Sequence, residues 1–129
     1  MRSLLRTLFT VACVFALSVA HAAEIKPYDK ASFDALQAAG KPVVIHVYAD
    51  WCPTCKQQTP IISQLLDEPS FKDYTVLKVN FDTQKDVRQA MRVGQQSTLI
   101  VFHGKKEVSR SVGDTSKDSI AATLRKAVS

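Results

Sequence analysis

The chain has 129 residues, of which 46% are apolar, 22% charged and 8% aromatic. This length fits one domain, and the composition excludes a mainly disordered or fibrous chain. The net charge is +5, of which Arg2 and Arg6 supply two, and the remainder is too small and dispersed to predict nucleic-acid binding.

The first 22 residues are typical of a secretory signal peptide. Two arginines and no acidic residue precede a mostly apolar run over 8–20, and small residues stand at its end, at Ala20 and Ala22. The run is short for a membrane-spanning helix, and an uncleaved N-terminal anchor is the alternative interpretation. We therefore predict a signal peptide over 1–22, a single domain over 23–129 and export to an oxidising compartment, the bacterial periplasm.

The domain is predicted to alternate helices and strands. In chain order, apolar spacing and turn residues predict a short strand near Ile25, a helix over 29–39, a strand over 43–48, a helix over 52–67, a strand over 74–81, a helix over 84–93, a hairpin of strands over 98–102 and 107–112, and a last helix capped by Ser116. Asp29 or Ser32 is the expected cap of the first helix, and Gly94 is expected to end the third. Val128 lies on the apolar stripe of the last helix.

This order of elements predicts a three-layer α/β domain, with a central mixed β-sheet flanked by helices. Strands separated by helices are expected to pair in parallel, and the final hairpin to add an antiparallel edge. Ligand sites in such sheets lie at the carboxyl ends of the central strands. The strand over 43–48 leads directly to Cys52, which places the candidate site at this edge.

Cys52 and Cys55 are the candidate reactive residues, separated by Pro53 and Thr54. Cysteines at i and i+3 in the first turn of a helix lie close enough to form a disulfide. The helix N-terminus favours a thiolate at Cys52 and lowers its pKa, whereas Cys55 is expected to be more shielded. Attack by Cys52 and resolution by Cys55 would give thiol–disulfide exchange.

Two other interpretations of the cysteine pair are a structural disulfide and half of a zinc site. A disulfide that closes so short a loop stabilises the fold little, and a four-ligand zinc site needs a second pair. Because a predicted strand precedes the pair and a helix follows it, redox chemistry is favoured.

The sequence from Tyr48 to Lys56 resembles the thioredoxin superfamily, as do Pro60, the strands over 76–82 and 98–102, and Gly113. The resemblance implies a thioredoxin fold and a redox-active Cys52–Cys55 disulfide, with no cofactor and no metal. The residues Ala49-Asp50-Trp51-Cys52 are similar to the C-terminal domain of DsbD-type disulfide reductases. By its position in the motif, Trp51 is expected to line the substrate surface together with Pro53 and Thr54.

Three departures from the family pattern affect the expected site. One is the Pro53-Thr54 dipeptide between the cysteines, which replaces the Gly-Pro of thioredoxins and tunes the reduction potential of the pair. The other two concern His46 and Ser97. The family has a buried Asp six residues before the first cysteine, where this chain has His46. His46 is either a proton relay for Cys55 or a neutral, hydrogen-bonded core residue. Lys78, which matches a lysine beside that Asp, would then lack a carboxylate partner and reach solvent.

The third departure lies in the loop that faces the disulfide in the family, where Ser97 replaces a cis-proline. Because a cis bond before a non-proline residue costs about 2.5–4 kcal/mol, we expect either a trans bond in a rebuilt loop or a strained cis bond. The family pairs this loop with extended substrate peptide, so Gln96 and Ser97 are candidate substrate-binding residues. The Ser97 hydroxyl would add a donor near the thiols.

The expected function is an exported thiol–disulfide oxidoreductase that reduces disulfides of periplasmic proteins. The resemblance implies disulfide-containing exported proteins as substrates, and a membrane electron donor of DsbD type as partner. We expect a monomer. The alternatives are a disulfide oxidase or isomerase, a soft-metal-binding protein that uses the same thiols, and a redox-silent peptide-binding module.

Overall fold

A computed structural model of the chain describes residues 22–128, so the predicted signal peptide lies outside the described residues apart from Ala22. The described elements are β1 (Glu24–Pro27), α1 (Lys30–Ala38), β2 (Pro42–Tyr48), α2 (Pro53–Leu66), a 3-10 turn (Pro69–Phe71), β3 (Thr75–Asn80), α3 (Lys85–Ala90), β4 (Thr98–His103), β5 (Lys106–Val112) and α4 (Lys117–Arg125). Each predicted helix and strand is present, with ends shifted by a few residues.

The five strands form one mixed sheet in the order β1-β3-β2-β4-β5. Strands β1 and β2 both run parallel to β3, whereas β4 runs antiparallel to both β2 and β5. Helices cover both faces, so the three-layer α/β architecture with a central mixed sheet is confirmed. The expectation that helix-separated strands pair in parallel is wrong for β4.

The connection between β3 and β4 keeps the chain at one edge of the sheet. Its helix α3 has six residues and extends for about 9 Å, whereas β3 spans about 20 Å. The helix therefore does not return the chain to the edge where β3 begins, and β4 starts at the edge where β3 ends. Its first residue, Thr98, pairs with Val47 near the carboxyl end of β2.

The alternation of side chains along β2 assigns its residues to the two helical layers. Val43, Ile45 and Val47 pack on the layer formed by α1 and α3, whereas Val44 packs against α2 and α4. His46 lies two residues after Val44, so its side chain is on the same face of the strand and faces α2. A strand buried on both faces is consistent with the nearly continuous apolar sequence.

Two helix ends differ from expectation. Helix α3 ends at Ala90, before Gly94, and Arg92 adopts the left-handed conformation with φ of 55°. The Arg110 guanidinium donates hydrogen bonds to the carbonyls of Met91 and Arg92, which satisfies acceptors that the helix end leaves open. At the chain end, Val128 is exposed and Ala127 is buried instead, because α4 ends at Arg125 and the helical spacing no longer holds beyond it.

The Tyr74 hydroxyl links the start of β3 to the last turn of α4. It donates a hydrogen bond of 2.6 Å to the carbonyl of Leu124, and the whole side chain is buried. The Tyr74→Phe substitution keeps the ring and removes this bond, so the free energy of unfolding is expected to fall by about 1 kcal/mol in urea denaturation. The matched substitution Tyr28→Phe, at a partly buried ring, is the control. An unchanged value for Tyr74→Phe would show that the bond is not stabilising.

Candidate functional site

The two cysteines lie at the start of α2, immediately beyond the carboxyl end of β2. They form a disulfide, with their Cα atoms 5.3 Å apart. Cys52 is the N-cap residue of α2, and its Sγ accepts a hydrogen bond of 3.1 Å from the backbone N–H of Cys55. Pro53 occupies the first helical turn, where a backbone N–H has no acceptor within the helix. The missing N–H of proline therefore costs no helical hydrogen bond. The predicted placement of the pair at a helix N-terminus is therefore confirmed.

The expected difference in burial between the two cysteines is absent. Cys52 is 1% exposed and Cys55 is 3% exposed. The Sγ of Cys52 turns back over the amide of Cys55, so the first helical turn shields it. A shallow pocket of about 170 Å³ opens beside Cys55 and is also lined by Lys56 and Lys78. In the disulfide form, what distinguishes Cys52 is its contact with the helix N-terminus and not its exposure.

Trp51 forms an exposed surface next to the disulfide. Its side chain is 56% exposed, and the indole N–H donates a hydrogen bond of 2.9 Å to the carboxylate of Asp82. Pro53 is exposed as well, and Thr54 is half-buried. This placement agrees with the predicted substrate surface, whose contacts with substrate stay a prediction. Asp82, which the sequence analysis did not select, fixes the orientation of the indole ring.

His46 is buried on the α2 side of β2, with 2% of its surface exposed. Its Nε2 lies 3.1 Å from the Oε1 of Gln58. Burial lowers the pKa of His46 from 6.5 to about 4, the hydrogen bond to Gln58 opposes this shift, and the Lys78 charge adds to it. The imidazole is therefore neutral at neutral pH. A pKa so far below neutrality makes the imidazole a weak proton acceptor. This favours the interpretation of His46 as a neutral, hydrogen-bonded core residue. Its role as a proton relay stays a prediction.

Lys78 does not simply reach solvent. Its ammonium lies 4.1 Å from the centroid of the Tyr48 ring, a cation–π contact. It is also the residue paired with His46 across β2 and β3.

The loop before β4 takes the first of the two expected forms, a trans bond in a rebuilt loop. The Gln96–Ser97 bond is trans, and Ser97 adopts the left-handed conformation with φ of 56°. The Ser97 hydroxyl donates to the carbonyl of Gln96 at 2.6 Å, so it is not directed at the thiols as expected. The Ser97 carbonyl accepts hydrogen bonds from the Gln58 side chain at 3.1 Å and from the backbone N–H of Gly113 at 3.0 Å.

Comparison with known proteins assigns the family. The Thioredoxin family model matches residues 24–126, which is most of the chain. The chain belongs to the thioredoxin family. A thioredoxin from Chlamydia trachomatis is 38% identical over 84 residues, which cover 65% of this chain and 80% of that protein. A thioredoxin from Mycobacterium tuberculosis is 33% identical over 103 residues, which cover 80% of this chain and 85% of that protein.

Solved structures of similar proteins confirm the thioredoxin fold. The crystal structure of Trxlp from Edwardsiella tarda superposes with a TM-score of 0.75 at 48% identity, covering 79% of this chain and 97% of that one. A thioredoxin from Malassezia sympodialis has a TM-score of 0.71 at 21% identity, covering 84% of this chain and 95% of that one, which supports the fold alone. The family and the Cys52–Cys55 disulfide identify a thiol–disulfide oxidoreductase. The closer resemblance to DsbD-type reductases is not confirmed.

Three further properties of this thioredoxin-family chain concern residues 22–128 only. In this part of the chain, no three His, Cys, Asp or Glu side chains cluster closely enough to hold a metal ion. No helix there has the length and apolar character needed to cross a membrane. A larger groove of about 540 Å³ lies between α1 and α3, and neither cysteine lines it.

Gln58, like Asp82, is a site residue that the sequence analysis missed. It lies one helical turn after Cys55, is fully buried, and contacts both His46 and the Ser97 carbonyl. The available signal was its spacing, because Gln58 lies on the buried stripe of α2 that continues through Ile62 and Leu65. A polar residue on an apolar stripe needs buried partners.

The neutral state of His46 predicts a dependence of stability on pH. The unfolded chain protonates His46 near pH 6.5, whereas the folded chain does so only near pH 4. Between these values the unfolded chain binds more protons, so this difference lowers the free energy of unfolding by up to about 3 kcal/mol as the pH falls. Urea denaturation at a series of pH values should show that the free energy of unfolding of His46→Phe falls less as the pH is lowered. The control His103→Phe removes an exposed histidine and should keep the full loss. Equal pH dependence in His46→Phe and the unsubstituted chain would contradict a buried, neutral His46.

Proposed function

We propose that this thiol–disulfide oxidoreductase is exported and reduces disulfides in periplasmic proteins. The observation that carries the chemistry is the Cys52–Cys55 disulfide at the N-terminus of α2, beside the exposed Trp51. Support for export comes from the signal-like pattern of residues 1–22. Support for the reductive direction comes from the thioredoxin-sized domain, in which the connection between β3 and β4 holds only the brief helix α3 and no helical insertion.

The reaction exchanges one disulfide for another. The Cys52 thiolate attacks one sulfur of a substrate disulfide, forms a mixed disulfide and expels the other substrate sulfur as a thiolate. Cys55 loses its proton to that departing thiolate, attacks the Cys52 sulfur and breaks the mixed disulfide. The second substrate sulfur leaves and takes up a proton from water. The substrate gains two electrons, and the chain is left with its Cys52–Cys55 disulfide.

The helix N-terminus makes Cys52 the attacking residue. In the disulfide form its sulfur already accepts the N–H of Cys55. In the dithiol form the same N–H and the other open amides of the first turn stabilise a thiolate there. Cys55 contacts the Val47 carbonyl at 4.0 Å, an oxygen that gives no such stabilisation to a negative charge.

Reduction in an oxidising compartment requires a source of electrons. Disulfides persist in the periplasm, so the dithiol must be regenerated after each turnover. A membrane protein of DsbD type that passes electrons to Cys52 and Cys55 fits this requirement. The exposed Trp51 surface is the place where both donor and substrate would reach the disulfide.

The reduction potential of the Cys52–Cys55 pair tests the direction of the reaction. We expect a value near that of thioredoxin, about −270 mV, when residues 23–129 are equilibrated in defined mixtures of oxidised and reduced glutathione or dithiothreitol. A value near that of DsbA, about −120 mV, would instead identify an oxidant of newly exported chains. The measurement needs no knowledge of the natural substrate.

Trapping of mixed disulfides in cells tests export and substrate together. In the Cys55→Ser variant, produced with its first 22 residues in a Gram-negative bacterium, attack by Cys52 still occurs but resolution does not. We expect disulfide-linked complexes with exported proteins, and a trapped chain that mass spectrometry shows to begin at residue 23. The Cys52→Ser variant should trap far less. Complexes made only with cytoplasmic proteins, on a chain that keeps residues 1–22, would refute export.

A further inference from the structure

We propose that Gln58 is a positioning residue that holds the loop at Gln96 and Ser97 in place for polypeptide substrates. Its side chain joins three segments that are far apart in the sequence: His46 on β2, Ser97 before β4 and Asp114 after β5. The inference rests on the proposed reduction of disulfides in polypeptides.

The partners of Gln58 determine how its amide group is oriented. The Nε2 donates to two carbonyl oxygens, that of Ser97 at 3.1 Å and that of Asp114 at 2.9 Å. A carbonyl only accepts hydrogen bonds, so the nitrogen of the amide must face these two groups. The Oε1 then faces Nε2 of His46, which must carry the ring proton to donate to it. Gln58 therefore also sets the tautomer of the neutral His46 and leaves its Nδ1 as the acceptor nitrogen.

The anchored loop lies beside the disulfide. Thr98, the first residue of β4, is paired with Val47, and the carbonyl of Val47 lies 4.0 Å from the sulfur of Cys55. Ser97 and Gln96 directly precede Thr98 and are therefore at the same edge of the sheet as the reactive pair. A polypeptide bound at the disulfide would meet the backbone of this loop.

The conformation of Ser97 requires an anchor. A non-glycine residue with φ of 56° lies in a sparsely populated region, which persists only where the surroundings hold it. The hydrogen bonds from Gln58 and from the N–H of Gly113 both end on the Ser97 carbonyl. They fix the peptide plane between Ser97 and Thr98, where the loop joins β4.

The chemistry of Gln58 favours a role beyond packing. An apolar side chain could fill this fully buried position without requiring partners. A buried amide instead specifies one arrangement of three segments, because any other leaves a polar group without a hydrogen bond. The segments it specifies are β2 at His46, the loop at Ser97 and the turn at Asp114, all outside the helix that carries the cysteines.

Single-turnover kinetics with two kinds of disulfide test the proposal. The reduced chain is mixed with either a peptide disulfide, formed by two identical extended peptides, or 2-hydroxyethyl disulfide, which has no peptide backbone. Oxidation is followed by the fluorescence of Trp51, the single tryptophan. The readout is the ratio of the two second-order rate constants, peptide disulfide over 2-hydroxyethyl disulfide.

We expect this ratio to fall about tenfold in Gln58→Met, as for the loss of a substrate contact of about 1.4 kcal/mol. The matched control is Gln57→Met, the same change at the exposed neighbouring residue. A ratio in Gln58→Met equal to that of the control would overturn the positioning role, even if both variants lose stability. Failure of the unsubstituted chain to reduce either disulfide would instead overturn the proposed function.

A second measurement leaves Gln58 unchanged, so it does not depend on a variant that could fail to fold. In the Cys55→Ser variant, Cys52 is linked either to the peptide or to 2-mercaptoethanol as a mixed disulfide. The side-chain amide resonances of Gln58 are expected to shift with the peptide adduct relative to the 2-mercaptoethanol adduct. Identical resonances in the two adducts would overturn the proposal, because a polypeptide that pairs with the anchored loop must alter the surroundings of the Gln58 amide.

Discussion

Strand β2 lies in the middle of the sheet, hydrogen-bonded to β3 on one side and to β4 on the other, with helices over both of its faces. Its residues from Val43 to Val47 are almost completely excluded from solvent. A shift of one residue would move every side chain of the strand to the opposite face, so the register is strongly determined. The start of α2, and with it the disulfide, therefore has a defined position at the carboxyl end of this strand.

The burial of β2 on both of its faces also determines the protonation state of His46. An imidazole enclosed between β2 and α2 loses the solvation that its charged form needs, which explains the lowered pKa of His46. A buried neutral imidazole still has an N–H that needs an acceptor, and Gln58 provides it. The amide of Gln58 in turn needs acceptors, which are the carbonyls of Ser97 and Asp114. One polar residue on the central strand is thus connected by hydrogen bonds to the loop beside the reactive pair.

The surface around the disulfide is assembled from three connections at one edge of the sheet. The segment between β2 and α2 contributes Trp51 and Cys52, the segment after β3 contributes Asp82, and the loop before β4 contributes Gln96 and Ser97. Asp82 fixes the indole of Trp51 from one side, and Gln58 fixes the Ser97 loop from within the core. The site is therefore held in shape by side chains that do not themselves take part in exchange of the disulfide.

The sequence by itself determined the features that depend on neighbours along the chain. The helices and strands follow from apolar spacing, the N-cap from Ser116, and the disulfide from cysteines three residues apart at a helix start. Only the tertiary structure decided the direction of β4, the equal burial of the two cysteines and the partners of His46 and Ser97. Gln58 lies 12 residues from His46, 39 from Ser97 and 56 from Asp114, so its partners are defined only once the sheet and α2 have packed together. Local patterns specify which side chains face inward, but the contacts among buried polar groups depend on which distant segments the fold brings within hydrogen-bonding distance.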